Sequence, residues 1–334
     1  LLNKLNLSIV FSLLILFFIN LLTISSIAPD LLTKQIFSWI IGLFLFFVGR
    51  HFTPRQLSSA KWPLFLFSCL LLILPILLNN ITRGSRRWIN IGPLSFQPSE
   101  IVKPGLMLYL ANANTLSSYF LFLLPVFIVI LQPDLGSAAS LLFLLSPIIF
   151  CHKLLFKISL LLSLFILLLS PLIWTKILHP YQQERILNFI NPTSDPFGQG
   201  YNVIQSKIAI GSGGFFGKGY KKGSQGQLLF LPEKHTDFVF AAISEELGFL
   251  GSFFIIFAYF LLISSLLKKA FNSTNKACFI FTLGITFQLW FQTFVNIGMN
   301  IGILPVTGIP LPFLSVGGST IMATLFSLGI IHSS

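Results

Sequence analysis

Apolar and polar positions alternate along this chain in blocks rather than residue by residue. Runs dominated by Leu, Ile, Phe and Val lie near 7–28, 35–49, 62–80, 98–112, 119–131, 137–151, 153–178, 237–266, 276–299 and 318–332, with polar segments between them. Such runs lack the period-two alternation of a barrel strand, so they predict membrane-spanning helices. Backbone groups in lipid are satisfied only within helices or closed barrels. The expected fold class is therefore all-α: a polytopic integral membrane protein of about ten helices in a single domain, 1–334. The run from Leu7 lacks a small-residue cleavage site and reads as the first span, not a removable leader.

The largest polar interruption falls between helices 7 and 8, over residues 179–236. The stretch His179–Lys234 is about 56 residues long, too long for an idle connection in a compact domain. Tyr181 to Ile190 predicts a short amphipathic helix stopped by Asn191-Pro192, and Asn202 to Ile210 predicts a second, ended by Gly211. Gln182 and Arg185, three apart, would share a face of the first. Both helices are expected at the outer interface. The glycine cluster GSGGFFGKG that follows fails the Walker pattern, with Ser212 and Gly219 at positions that need Gly and Ser or Thr. It reads as a mobile loop near a ligand or a plain linker.

Three smaller islands carry their own signals. In the first, Gln97-Pro-Ser-Glu100 looks like a helix start with Pro98 in the first turn. Lys103 lies one turn beyond Glu100, so the two share a face and can form an ion pair or serve a ligand. In the second, Asp134 of Gln132-Pro-Asp-Leu-Gly reads as a helix cap. The third, 296–320, has no charge and is rich in Gly and Pro. A broken stretch at membrane depth is tolerated only where it lines a cavity or is buried in protein.

Composition agrees with this pattern and charge gives it a direction. Apolar residues make up 54% of the chain and charged ones only 9%, too few to cover a soluble surface. With the N-terminus inside, Lys4, Arg50, Arg55, Lys61, Lys153, Lys157, Lys268, Lys269 and Lys276 fall in cytoplasmic segments and no acid joins them. All 9 carboxylates and the remaining cations lie on the other side. Translocated cations such as Arg83, Arg86, Arg87, Lys207, Lys218, Lys221 and Lys222 run against the positive-inside rule, so something outside is expected to use them, and anionic phosphate fits. Cys69, Cys151 and Cys278 lie in or beside apolar spans and imply no disulfide framework. No HExxH or zinc-spaced Cys/His set occurs, and no nucleic-acid partner is expected.

The stretch LPEKHTDFVFAAISEELG, Leu231 to Gly248, holds Glu233, Asp237, Glu245 and Glu246 where polar chain runs into apolar chain. Ionisable groups at a membrane edge suggest a working site. Ordinary helix capping by Thr236 or Asp237 is the plain alternative.

Together the islands resemble the SEDS family of bacterial cell-wall polymerases (RodA/FtsW/SpoVE). The resemblance runs over nearly the whole chain and rests on RRWINIGPLSFQPSEIVK, QPDLGSA, YQQERI through DPFGQGYNVIQSKIAIGSGGFFGKG, LPEKHTDFVFAAISEELG and GILPVTGIPLPFLSVGGST. The QSKIAIGSGG and PLPF forms are most like the elongation branch, RodA. The resemblance implies a peptidoglycan glycosyltransferase that polymerises lipid II, the undecaprenyl-pyrophosphate-linked disaccharide-pentapeptide, at the outer face of the bacterial cytoplasmic membrane for cell elongation and shape. It implies Asp237 as the catalytic carboxylate, a general base, oriented by His235 and Thr236. Arg87, Lys103, Arg185 and Lys207 would hold the pyrophosphate, Glu100 would set Lys103, and Gln182 and Ser315 would contact substrate. Some relatives carry a basic residue where Ser95 stands here, which removes one phosphate contact. No cofactor is certain from the resemblance, although a divalent cation (Mg or Mn) would suit a pyrophosphate; no dedicated metal cage is visible. A class B penicillin-binding protein is the implied partner. Glu245 and Glu246 read as structural or tuning groups and Glu233 as a solvated loop acid. The competing functions are a lipid II flippase and a non-catalytic scaffold.

Overall fold

The computed structural model describes residues 7–78, 87–91, 94–177, 183, 187, 189, 199–227, 230–231 and 233–333. Each of the ten apolar runs is helical within it. The first three form α1 (Leu7–Ile27), α2 (Pro29–Gly49) and α3 (Lys61–Leu78). The fourth is split into α4 (Pro98–Ile101) and α5 (Lys103–Ala111). Pro104 lacks the N–H that would bond the carbonyl of Glu100, so the ladder breaks there. Then come α6 (Leu116–Ile130), α7 (Leu135–Cys151), and α8 (Lys153–Phe165) bent by 59° against α9 (Ser170–Lys176). A helix α10 (Gln199–Ser212) precedes α11 (Val239–Phe271), α12 (Lys276–Ile301) and α13 (Gly318–Ser333). Of these, α1, α2, α3, α11 and α12 are singly long and apolar enough to cross a membrane. The chain is a multi-pass membrane protein.

The sequence reading missed one element, a hairpin of β1 (Ile89–Ile91) and β2 (Leu94–Phe96). Its strands pair antiparallel, with Ile89 opposite Phe96 and Ile91 opposite Leu94. The hairpin leads directly into Gln97, the N-cap of α4, so it fixes where Arg87 stands relative to the bundle.

Packing places α12 at the centre, against α5, α10, α11 and α13. The α2–α13 contact is made by glycines. A Cβ at Gly329 would lie 2.2 Å from the carbonyl oxygen of Phe46, and one at Gly49 2.6 Å from that of Phe326. Lipid chains are as apolar as Leu, so close backbone approach supplies the helix–helix attraction.

Contacts between connecting segments sort into two sets that match the charge-based topology. Lys61 Nζ donates to Asn112 O at 3.3 Å, Asn112 Nδ2 to Pro54 O at 3.0 Å, and Lys269 Nζ to His332 O at 3.0 Å. All belong to segments expected inside. The segments expected outside meet one another: Arg87 with Asp134, Ser206 with Asn300, and Tyr220 with Ser25.

The glycine cluster is neither a linker nor a loose loop. At Gly248 the backbone of α11 turns to φ 68°, ψ −161°, which breaks the helix and orphans its ladder groups. The loop satisfies them from both sides. Lys218 N and Gly219 N donate to the carbonyls of Glu245 and Glu246 at 2.9 and 3.0 Å. Phe249 N and Leu250 N donate to Gly214 O and Phe215 O at 2.9 and 3.1 Å. Such contact excludes side chains, since a Cβ at Gly217 would fall 2.1 Å from Glu246 O and one at Gly213 2.0 Å from Ser244 O.

Candidate active site

The turn carrying Asp237 is wound around one carbonyl. Glu233, at φ +55°, presents its oxygen to the N–H groups of Thr236, Asp237 and Phe238 at 3.1, 3.1 and 3.2 Å. Its carboxylate accepts from Thr236 Oγ1 at 3.1 Å. Glu233 thus organises the turn, which corrects its reading as a solvated loop acid. The helix that follows has Phe238 at its N-cap and no side chain capping from that position, so neither Thr236 nor Asp237 serves as the cap.

Asp237 is half-buried and faces the uncharged Gly/Pro segment. At Gly308, φ +73°, the place a Cβ would occupy is 3.6 Å from Asp237 Oδ2 and 3.9 Å from Arg87 Nη1. A carboxylate and a guanidinium therefore border one space whose floor is bare glycine backbone. Arg87 also pairs with Asp134 Oδ2 at 3.5 Å. Asp134 is the N-cap of α7, as expected, accepting from Ser137 N at 3.1 Å, and Gln97 Nε2 reaches it at 3.3 Å. Arg87 is thereby tied to α4 and α7 at once.

Behind this space the main chain is pinned. Val316 N donates to His235 O at 2.8 Å, and Ser315 Oγ donates to Thr236 O at 2.6 Å while accepting from Leu311 N at 2.9 Å. Ser315 is only 3% exposed. The expected substrate contact gives way to a bridge between the two loops, because the hydroxyl donor already has a partner. Further down, Asn20 Nδ2 donates to Leu314 O at 2.7 Å and Gln35 Nε2 to Ser315 O at 3.3 Å. Polar side chains on α1 and α2 thus satisfy the broken backbone, which is buried in protein as its composition required.

The other expected residues divide. Glu100 and Lys103 pair at 2.5 Å, both buried, and Gln292 Nε2 also donates to Glu100 at 3.3 Å. They border a small cavity with Gln288, Thr324 and Ser327, and Asp134 lies within electrostatic reach of Lys103. The structure thus gives the ion-pair reading of Glu100 and Lys103. Lys207 is exposed on α10, and its Cε and Nζ lie 2.0 and 2.5 Å from where a Cβ would stand at Gly302. Gly302 is the left-handed C-cap of α12, so the ammonium complements the negative end of that helix. Gln182 and Arg185 lie outside the described residues, as does most of the helix expected at 181–190.

Glu245 and Glu246 are structural, as read. Glu245 is 0% exposed and accepts from Lys218 Nζ at 2.7 Å, Gln225 N at 3.0 Å and Gly226 N at 3.1 Å. Glu246 accepts from Ser26 Oγ at 2.5 Å. Nearby, burial lowers the pKa of the Lys234 ammonium, while the charge of Glu246 acts to raise it. Among the described residues no three His, Cys, Asp or Glu side chains come together to hold a metal ion.

Sequence reasoning missed Asn296 and Asn300, both 0% exposed on α12, whose side chains bond the backbone of Asp237. The available signal was two amides four residues apart on a helix whose Gln288 and Gln292 repeat the same spacing.

The chain is 36% identical over 316 residues to the peptidoglycan glycosyltransferase MrdB of Escherichia coli K12, covering 91% of this chain and 85% of that protein. It is 36% identical over 313 residues to the probable peptidoglycan glycosyltransferase FtsW of Coxiella burnetii, covering 87% and 82%. Its fold matches a chain of a peptidoglycan synthase complex that coordinates polymerization and crosslinking, with TM-score 0.83, 36% identity and coverage of 98% and 96%. It also matches the rod shape determining protein RodA of Thermus thermophilus, with TM-score 0.69, 30% identity and coverage of 97% and 94%. A family model described as "Cell cycle protein" matches residues 2–333, and with it the chain belongs to the FtsW/RodA/SpoVE family.

Proposed function

We propose that this chain is a peptidoglycan glycosyltransferase that polymerises lipid II into glycan strands at the outer face of the bacterial cytoplasmic membrane, in cell elongation. The observation that carries the reading is the space over Gly308, bordered by Asp237 Oδ2 on one side and Arg87 Nη1 on the other. Asp237 is the general base. It takes the proton of the acceptor 4-hydroxyl as that oxygen bonds the donor's anomeric carbon. The bond to undecaprenyl pyrophosphate breaks in the same displacement, with inversion from an α-linked donor to a β-linkage. Arg87 faces the charge that builds on the departing pyrophosphate, and a guanidinium suits phosphate oxygens in fork geometry. Lys207, exposed on α10, adds positive charge.

A divalent cation, magnesium or manganese, finds no protein cage among the described residues. If used, it would be held mainly by the substrate's phosphates, and the proposed displacement needs no step through it. The partner is a class B penicillin-binding protein that crosslinks the emerging strands. This rests on the likeness to a synthase complex that couples the two activities.

The test is to incubate the purified protein with lipid II and separate the products by length, with a parallel vesicle assay for lipid II crossing. The expected result is glycan polymer. Crossing without polymer would instead make the chain a lipid II transporter. Neither activity, from folded protein with its partner present, would leave a scaffold.

A further inference from the structure

We infer that Asn296 and Asn300 form a clamp that positions Asp237, an inference that rests on the general-base reading of Asp237. Asn296 Nδ2 donates to Asp237 O at 3.2 Å and to Ile309 O at 2.8 Å. One amide therefore ties the residue bearing the base to the residue next to Gly308, across the space the base faces. Asn300 Nδ2 donates to the same Asp237 carbonyl at 3.0 Å, while its Oδ1 accepts from Ala241 N at 3.0 Å. With Phe238 at the N-cap, Ala241 is the third residue of α11, and its N–H is one that a capping side chain normally takes. Asn300 supplies that cap from a different helix, so the caps of the sequence's own HTD segment are not called upon.

The clamp is itself held. Asn300 Nδ2 also donates to Asn296 O at 2.8 Å, and the backbone carbonyl of Asn300 accepts from Ser206 Oγ at 2.7 Å. Asn296 and Asn300 share a face of α12, one helical turn apart, and both are fully buried. Their donors reach main-chain oxygens, so neither touches substrate: they are positioning residues. Their action on the reaction runs through the distance of the Asp237 carboxylate from Arg87 and from the glycine floor.

The experiment uses the purified full chain with lipid II, comparing wild type with Asn296→Ala, Asn296→Gln and Asp237→Asn. Rates are scored per folded molecule across a pH series. Misplacing the base by about an ångström is expected to lower kcat ten- to a hundredfold, with KM little changed. Removing the clamp should also let the carboxylate drift from Arg87. A carboxylate loses stabilisation of its charged form away from a cation, so the acid limb of the kcat profile should move to higher pH. A simple loss of folded protein would scale the rate without moving that limb. Asn296→Gln keeps the amide and should recover part of the rate and of the limb position, which holds the test open if Asn296→Ala folds poorly. A wild-type rate and limb in Asn296→Ala, or a reduced rate with the limb unmoved, overturns the clamp. If Asp237→Asn is inactive in that same series, the clamp alone has failed. If Asp237→Asn polymerises normally, the general-base reading has failed and the clamp with it.

Discussion

At Gly308 a single methyl group would meet both Asp237 and Arg87. The glycine's φ of +73° already disfavours any side chain, and a Cβ there would enter the space shared by Asp237 and Arg87. Gly308→Ala should cost about 1–2 kcal/mol of stability, because an L-residue is strained in the left-handed region. The larger effect is expected on turnover, about tenfold or more, since the methyl stands where reacting atoms must approach. Thermal unfolding and polymer yield from lipid II measure the two separately; a full rate would show that the space is not where the reaction occurs. At this scale the sequence was a partial guide. Asp237 stood out because a carboxylate at the edge of an apolar run is costly to keep. Asn296, Asn300 and Gly308 did not, because uncharged residues in a Gly- and Pro-rich stretch show their use only when the fold brings a second segment against them. Ser315 was found by its motif, yet its hydroxyl serves the backbone of Thr236.

At the level of elements, the broken helix α11 and the glycine loop form one unit. The break at Gly248 leaves backbone groups that the loop satisfies, and Glu245 fastens the loop with Lys218 and two backbone N–H groups. This places the chain leading to Asp237 on a fixed support. Glu245→Ala would leave the Lys218 ammonium without its carboxylate and the Gln225 and Gly226 N–H groups without their acceptor. Lys218 is 28% exposed and can turn to water, so the cost comes mainly from the stranded backbone donors, about 1–3 kcal/mol. A lowered unfolding temperature and faster proteolytic cutting within 213–227 are the expected outcomes, and an unchanged cutting rate would show the loop is held by something else. Helix positions were legible from the apolar runs alone, since each span announces its own length and hydropathy. The docking of the loop was not. Its glycines meet a helix some thirty residues further along, and no local period carries that information. The β1–β2 hairpin was missed for a similar reason: three-residue strands are too short to show alternation.

For the whole molecule, charge placement gave the same arrangement that the contacts between connecting segments give. Lys61 meets Asn112 and Lys269 meets His332 at one end, while Arg87, Asp134, Asn300 and Asp237 gather at the other. Cations retained at that second end, against the usual bias, are what the proposed pyrophosphate substrate would require. The same arrangement leaves the Glu100–Lys103 pair inside the bundle, beside a small cavity bordered by α5, α12 and α13. The central claim is that Asp237 performs the chemistry at the polar end, and the most direct measurement is polymer formation from purified lipid II by Asp237→Asn. The amide keeps the shape of the carboxylate but cannot accept the proton, so the variant should fold, bind lipid II and form no glycan strand. Glycan of normal length and yield from that variant would contradict the account.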